Sequence, residues 1–227
     1  ACLILEGAEV RDPLPAPLGW PAPEPVPSMP GPVFEPPVDP EAGSGNGSPA
    51  ISEYSREAAP GESVFLCGRR FGDRLHVWGR KAHDAAGGAV RAAFLQRTDT
   101  YATVTIEDRA FDGPFLLWLG NDKGWSRPVR LNVPDPWWCR PRTLVSGETL
   151  RIFGRDLSRR PDRSTAHVYL ARAGETGQWL ETSSAGKYQV SAALPEGLPS
   201  GEYRVWVHAG MGGRYGWGGP VAVTVTE

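Results

Sequence analysis

The chain has 227 residues, a net charge of -2 and 22% charged residues. Nucleic acids and anionic membranes attract proteins with basic stripes or patches, so this balance predicts neither partner. No window approaches the apolar length of a membrane-spanning helix, and the run Cys2–Leu5 is too short for the core of a signal peptide. The length suits one large domain or two of ordinary size.

Cysteine usage gives little constraint. Cys2, Cys67 and Cys139 are an odd number without paired spacing, so they form neither a complete disulfide framework nor a metal-site pattern. The sequence leaves their disulfide state open.

The N-terminal segment, residues 1–51, is predicted to be a Pro-rich arm or linker. Pro13–Pro49 holds 13 of the 23 prolines. Proline lacks the N–H that a strand ladder or helix needs, so extended polyproline-like structure is expected there.

From Ala59 onward the pattern changes to short apolar runs that alternate with polar residues. Gly, Pro and Asp interrupt these runs, and no stretch has a convincing helical period. The sequence therefore predicts an all-β fold.

The β region repeats itself at a period near ninety residues. Gly61–Phe71, GESVFLCGRRF, aligns with Gly147–Leu157, GETLRIFGRDL. Phe115–Pro128, FLLWLGNDKGWSRP, aligns with Tyr203–Pro220, YRVWVHAGMGGRYGWGGP. A period of this length is too long for a solenoid, so each copy is predicted to be a domain.

Two tandem immunoglobulin-like β-sandwiches are the predicted architecture, at residues 52–134 and 135–227. About ninety residues with a strand every ten to fifteen residues is the size of such a sandwich. The opening pattern at Pro60–Phe71 resembles that of the compact IPT/TIG type.

Alternation along the repeated strand predicts which way its tryptophan points. Trp206 shares a face with Arg204, which favours solvent, so Trp206 is expected on the outer face. Trp118 takes the same position in the first copy. Alternation also predicts that Trp78 and Tyr169 point outward. In an immunoglobulin-like sheet their strand would be the neighbour of the strand that carries Trp118 or Trp206. The sequence therefore predicts two exposed aromatic pairs, Trp78 with Trp118 and Tyr169 with Trp206.

Exposed aromatics in matched positions need a partner, and two partners fit. One is a polysaccharide, whose pyranose rings stack on aromatic faces. The other is protein: the second domain, the Pro-rich arm or a further module. Three more aromatic candidates lie near the loop end that precedes the last strand: Trp125, Tyr215 and Trp217. Polar neighbours that would bind sugar hydroxyls are His76, Asn121, Asp122, His208 and Arg214.

No catalytic residue, metal site or cofactor is predicted. The sequence contains no Gly-x-Ser-x-Gly elbow, His-Glu-x-x-His pair or phosphate-binding Walker loop. The glycine-rich run that begins at Gly210 joins a strand to a strand, whereas a dinucleotide fingerprint needs a helix N-terminus.

Three phrases carry a resemblance to a known group of proteins. NDKGWSRPVRLNVPDPWW, GETLRIFGRDL and LPSGEYRVWVHAGMGGRYGWGGPVAVTV resemble the N-terminal region of bacterial secreted enzymes built on a right-handed parallel β-helix of the pectate-lyase-like superfamily. The resemblance covers about Ser52–Thr226. The sequence departs from it at Trp217–Pro220, which reads WGGP where the pattern resembles W-S-x-P.

This resemblance implies an extracellular or cell-surface location and a catalytic β-helix domain C-terminal to Glu227. The parent protein would be a glycoside hydrolase or polysaccharide lyase. The resulting hypothesis is a non-catalytic accessory region of a secreted carbohydrate-active protein, which binds glycan or docks on the catalytic module. The alternative is a structural subunit of an extracellular or cell-surface assembly, in which the Pro-rich arm and the Trp faces join neighbouring copies. A chain that is itself an enzyme is the least favoured interpretation.

Overall fold

A computed structural model describes residues 47–82, 90–92, 94–105, 113–159, 165–172, 175 and 177–227. The prediction of an extended Pro-rich arm falls almost entirely outside these residues. Within them the protein is all-β, with one short 3-10 turn, and no helix there has the length and apolarity to cross a membrane. The chain divides into two compact units, whose described parts lie within 47–132 (unit 1) and 133–227 (unit 2).

Unit 1 contains two sheets. Its strands are β1 (Ala50–Tyr54), β2 (Ser63–Arg69), β3 (His76–Lys81), β4 (Val90–Ala92), β5 (Phe94–Arg97), β6 (Tyr101–Thr105), β7 (Phe115–Asn121), β8 (Gly124–Trp125) and β9 (Val129–Leu131). One sheet has the order β1-β2-β6-β5 and the other β4-β3-β7-β8, with β9 also paired to β7.

Unit 2 is one continuous ladder of eight strands in the order β10-β12-β15-β14-β13-β16-β17-β11. The strands are β10 (Asp135–Arg140), β11 (Thr143–Val145), β12 (Thr149–Arg155), β13 (His167–Ala171), β14 (Gln178–Ala185), β15 (Gln189–Ala193), β16 (Gly201–His208) and β17 (Trp217–Thr226). Strand β14 joins the two halves, because its first residues pair with β13 and its later residues pair with β15.

Alternation along β16 places its apolar side chains as the sequence predicts. Tyr203, Val205 and Val207 lie in the main core of unit 2, together with apolar residues of β12, β13, β15 and β17. The Tyr203 hydroxyl donates a 2.7 Å hydrogen bond to the carbonyl of Pro199, four residues upstream. A bond from a Tyr hydroxyl to the backbone a few residues upstream also occurs, as the tyrosine corner, in immunoglobulin-like sandwiches.

The strands that carry the aromatic pairs are paired in the same way in the two units. In unit 1, β3 pairs with β7 so that Trp78 lies opposite Trp118. In unit 2, β13 pairs with β16 so that Tyr169 lies opposite Trp206. The predicted juxtaposition of each aromatic pair on neighbouring strands is therefore confirmed.

Candidate functional site

The aromatic pair of unit 2 faces away from the main core but is buried, so the prediction that it is exposed is wrong. Tyr169 is 1% exposed and Trp206 is 2% exposed. They form a second cluster with Trp217, and the half-buried Trp179 packs against it. Trp179 stacks on Trp217 with ring centroids 5.3 Å apart and also meets the edge of Tyr169. Sequence alternation identified the face correctly, but the aromatic side chains from β14 and β17 cover it.

His208 holds the loop between β16 and β17, and its ring lies edge to face with Trp217 of this cluster at 4.8 Å. The backbone N–H of Gly210 donates to His208 Nδ1 at 3.0 Å, and His208 Nε2 lies 2.7 Å from the carbonyl of Gly213. These contacts assign the neutral tautomer with a proton on Nε2. Complete burial lowers the pKa of His208 to about 3. Gly216 is required here because a Cβ would collide with the carbonyl of Met211.

The equivalent layer of unit 1 is partly covered. Trp118 is fully buried, and the Arg80 guanidinium lies 5.6 Å from the centroid of its ring. Trp78 and Trp125 are half-buried and meet edge to face at 6.2 Å. Gly120 lets Trp125 lie across β7, because a Cβ there would fall 2.6 Å from the Trp125 ring. The predicted exposed pair of unit 1 is therefore also wrong for Trp118.

Two of the five predicted polar neighbours, Asn121 and His208, and the aromatic candidate Tyr215 are buried. Asn121 is buried and its amide donates to the carbonyls of Gly47 and Arg70. His208 and Tyr215 are buried as well, so none of these three side chains presents an open hydroxyl-binding surface.

The other three predicted polar neighbours are Asp122, His76 and Arg214. Asp122 is exposed and forms an ion pair with Arg74 at 3.6 Å. His76 is half-buried, and the side chain of Arg214 lies outside the described part of the chain.

The large exposed aromatic side chains of unit 2 include two adjacent tryptophans on the edge strand β10. Trp137 is 50% exposed and Trp138 is 43% exposed. Strict alternation would turn one of them inward, but β10 has a bulge. Pro136 lies opposite Gly154 and Trp138 opposite Phe153, which leaves Trp137 as an extra residue. Both indoles therefore remain accessible.

Neighbouring side chains hold both indoles in place. Trp137 Nε1 donates to Asp135 Oδ2 at 3.1 Å, and Arg155 forms an ion pair with the same oxygen at 3.3 Å. Trp138 stacks on Phe153 with an angle of 22° between the rings. The two indole centroids are 5.6 Å apart and their planes are tilted by 35°. A platform that is already ordered loses less entropy when a ligand binds.

The two tryptophans line a groove of about 430 Å³ in unit 2. Its walls come from β10, β16, β17 and the β10–β11 connection: Trp137, Trp138, Cys139, Arg142, Glu202 and Pro220–Thr224. The buried Cys139 thiol donates to the carbonyl of Ala222 at 3.2 Å. Burial raises the pKa of this thiol, and the charge of Arg142 only partly offsets that effect.

Arg142 and Glu202 bring opposite charges to the groove. Both side chains are exposed, and neither has a hydrogen bond or ion pair among the described residues. As far as the structure describes the chain, they can therefore donate to and accept from a ligand without breaking an existing contact. The sequence pattern does not predict this site. The available signal was the pair Trp137–Trp138, but its outward orientation depends on a bulge that the sequence pattern does not reveal.

Within the described residues, no group of three or more His, Cys, Asp or Glu side chains could hold a metal ion. The groove combines two exposed indoles with the side chains of Arg142 and Glu202, and these groups can stack on a ligand, donate to it and accept from it.

Comparisons with known proteins give no family. No family model and no curated protein matches the chain. Among solved structures, the SGBP-B protein of the Bacteroides ovatus mixed-linkage glucan utilization locus, in complex with a mixed-linkage heptasaccharide, is similar at 16% identity and a TM-score of 0.31. The match covers 80% of this chain and 46% of that one.

Two other solved structures are similar at the same level. The full extracellular region of plexin A4 matches at 11% identity and a TM-score of 0.32, covering 78% of this chain and 27% of that chain. The chicken CNTN1 FN1–FN3 domains match at 14% identity and a TM-score of 0.27, covering 80% of this chain and 68% of that chain. The chain thus spans less than half the length of the first two structures.

Proposed function

We propose that this chain is a non-catalytic glycan-binding region of a secreted carbohydrate-active protein, and that the groove of unit 2 is its binding site. We further propose that units 1 and 2 are tandem immunoglobulin-like sandwiches, in keeping with their strand pairing and the hydroxyl bond of Tyr203. The observation that carries the functional proposal is the ordered, exposed pair Trp137 and Trp138 beside Arg142 and Glu202, whose side chains have no hydrogen bond or ion pair among the described residues.

The chemistry of the groove suits a sugar ring. The C–H bonds of a pyranose carry partial positive charge and pack on the negative face of an indole. Glu202 accepts hydrogen bonds from sugar hydroxyls, and Arg142 donates to them in a fixed fork geometry. The groove volume also falls in the usual range of small-ligand sites, about 300–1,000 Å³.

The alternative is a protein partner, such as a catalytic β-helix module or a second copy of the chain. Trp and Arg are also enriched at protein interfaces. Glu202 favours the sugar, because acidic residues are depleted at the centre of protein interfaces. Trp78 and Trp125 of unit 1 stay secondary glycan candidates, since both are half-buried.

Affinity electrophoresis of the full chain through gels that contain soluble plant or bacterial polysaccharides tests this proposal. We expect at least one polysaccharide to retard the chain. Trp137→Ala or Trp138→Ala should reduce that retardation, while Phe65→Ala should not. Phe65 is the matched control because it is 49% exposed on a strand of unit 1. Retardation that persists in both Trp variants would exclude the groove as the site.

A further inference from the structure

The sheet face next to Trp138 carries two arginines in direct opposition. Arg140 on β10 and Arg151 on β12 are register partners, and both side chains are exposed. Side chains of directly opposed residues lie on the same face of a sheet, and like charges in this position destabilise it. Selection for stability alone would not favour this pair.

No acidic side chain neutralises the two arginines among the described residues. Neither guanidinium has a hydrogen bond or ion pair there. Asp135 is already paired with Arg155, and the carboxylate of Glu148 accepts from the backbone of Val145. Glu181 on β14 is the register partner of Ala193 on β15, whereas Arg151 is the partner of Ser191. Glu181 is therefore in a different cross-strand row from Arg151.

The residues around the arginine pair match a polysaccharide surface. Trp138 and Phe153 stack in the adjacent row of the same two strands. Further across the sheet, Gln189 and Ser191 lie opposite Phe153 and Arg151 and bond to each other at 3.4 Å. A ring that stacks on Trp138 can therefore place a substituent over the arginines.

From this arrangement we infer that the glycan is anionic and that Arg140 and Arg151 together bind its carboxylate or sulfate groups. The inference rests on the proposed function and extends its site from the groove, across Trp138, to the neighbouring sheet face that carries the two arginines. Guanidinium groups bind carboxylates and sulfates through paired, charge-assisted hydrogen bonds. An anion between the arginines also removes their mutual repulsion. Relief of this repulsion, which destabilises the free protein, therefore adds to the affinity for the anion.

The experiment compares polymers that differ only in charge. The full chain is run through gels with polygalacturonate or with its methyl-esterified form, and with dextran sulfate or with dextran. The first pair tests for a carboxylate and the second for a sulfate. The variants are Arg140→Gln and Arg151→Gln, with Arg69→Gln as the control. Arg69 is an exposed strand arginine of unit 1.

We expect a charged polymer to retard the chain and its neutral counterpart to have little effect. Each of Arg140→Gln and Arg151→Gln should weaken binding at least tenfold, and Arg69→Gln should leave it unchanged. The melting temperature of Arg151→Gln should be equal to or above that of the wild type, because the substitution removes a repulsion. A purely structural arginine would lower it.

Other outcomes overturn the inference in distinguishable ways. Equal retardation by charged and neutral polymers, lost in Trp138→Ala but kept in both Arg variants, would leave the groove as a site for neutral glycans. An equal loss in all three Arg variants would indicate long-range attraction rather than a site. Absence of retardation by any polysaccharide would overturn the proposed function together with the inference.

Discussion

The burial of His208 predicts that unit 2 loses stability in mild acid. The unfolded chain binds a proton at His208 with a pKa of about 6.5, whereas the folded chain does so only near pH 3. The folded state therefore binds fewer protons, and the free energy of unfolding rises with pH over this range. The stabilisation is fully present above about pH 7 and is lost progressively as the pH falls from 6.5 towards 3.

The size of the effect follows from these two pKa values. A shift of one pKa unit is worth about 1.4 kcal/mol, so between pH 7 and pH 5 the free energy of unfolding should fall by about 2 kcal/mol. This window avoids most titration of Asp and Glu. Burial also lowers the pKa of the half-buried His167, which adds to the effect with the same sign.

Urea unfolding at pH 7 and pH 5, followed by Trp fluorescence, measures this difference. His208→Gln should lower stability at pH 7 and abolish most of the pH dependence, whereas His167→Gln should retain most of it. Equal unfolding free energies at the two pH values in the wild type would refute the reasoning. So would an NMR titration in which the His208 imidazole protonates near pH 6.5 in the folded protein.

Three further predictions concern packing. Trp206→Ala should lower the free energy of unfolding by about 3–5 kcal/mol because the indole is buried. Trp137→Ala should lower it by less than about 1 kcal/mol because that indole is exposed, and chemical denaturation measures both values. Asn132→Ala should lower the free energy of unfolding by about 2–4 kcal/mol, since the Asn132 amide makes two 2.9 Å bonds to the backbone of Ala58 and their loss leaves buried polar groups unpaired. Asp122→Ala is the control, because Asp122 is exposed. Gly120→Ala should destabilise unit 1 by about 1–3 kcal/mol by displacing the Trp125 ring, which near-ultraviolet circular dichroism would detect.

Sequence patterns predicted the strands and the direction of their side chains, because alternation depends on local backbone geometry. Val205 and Trp206 lie on the faces that the pattern predicts. Exposure is different, since it depends on which distant segment covers a face. Trp206 is buried in a cluster against which Trp179 packs, and the sequence pattern around Trp206 does not include Trp179.

The candidate site could not be predicted for a related reason. Its two indoles point outward together only because β10 has one residue more than β12 between paired positions. The opposed arginines likewise depend on the register of these two strands, which neither strand specifies alone. The side chains of the candidate site are thus positioned by the pairing of β10 with β12 rather than by the local sequence pattern.

The most direct test of the glycan site is an NMR titration of the indole N–H signals of the nine tryptophans in the full chain with polygalacturonate oligosaccharides. The account predicts that the signals of Trp137 and Trp138 shift saturably, while those of the buried Trp118 and Trp206 do not move. Shifts at Trp78 and Trp125 with none at Trp137 and Trp138 would contradict it and place the site in unit 1.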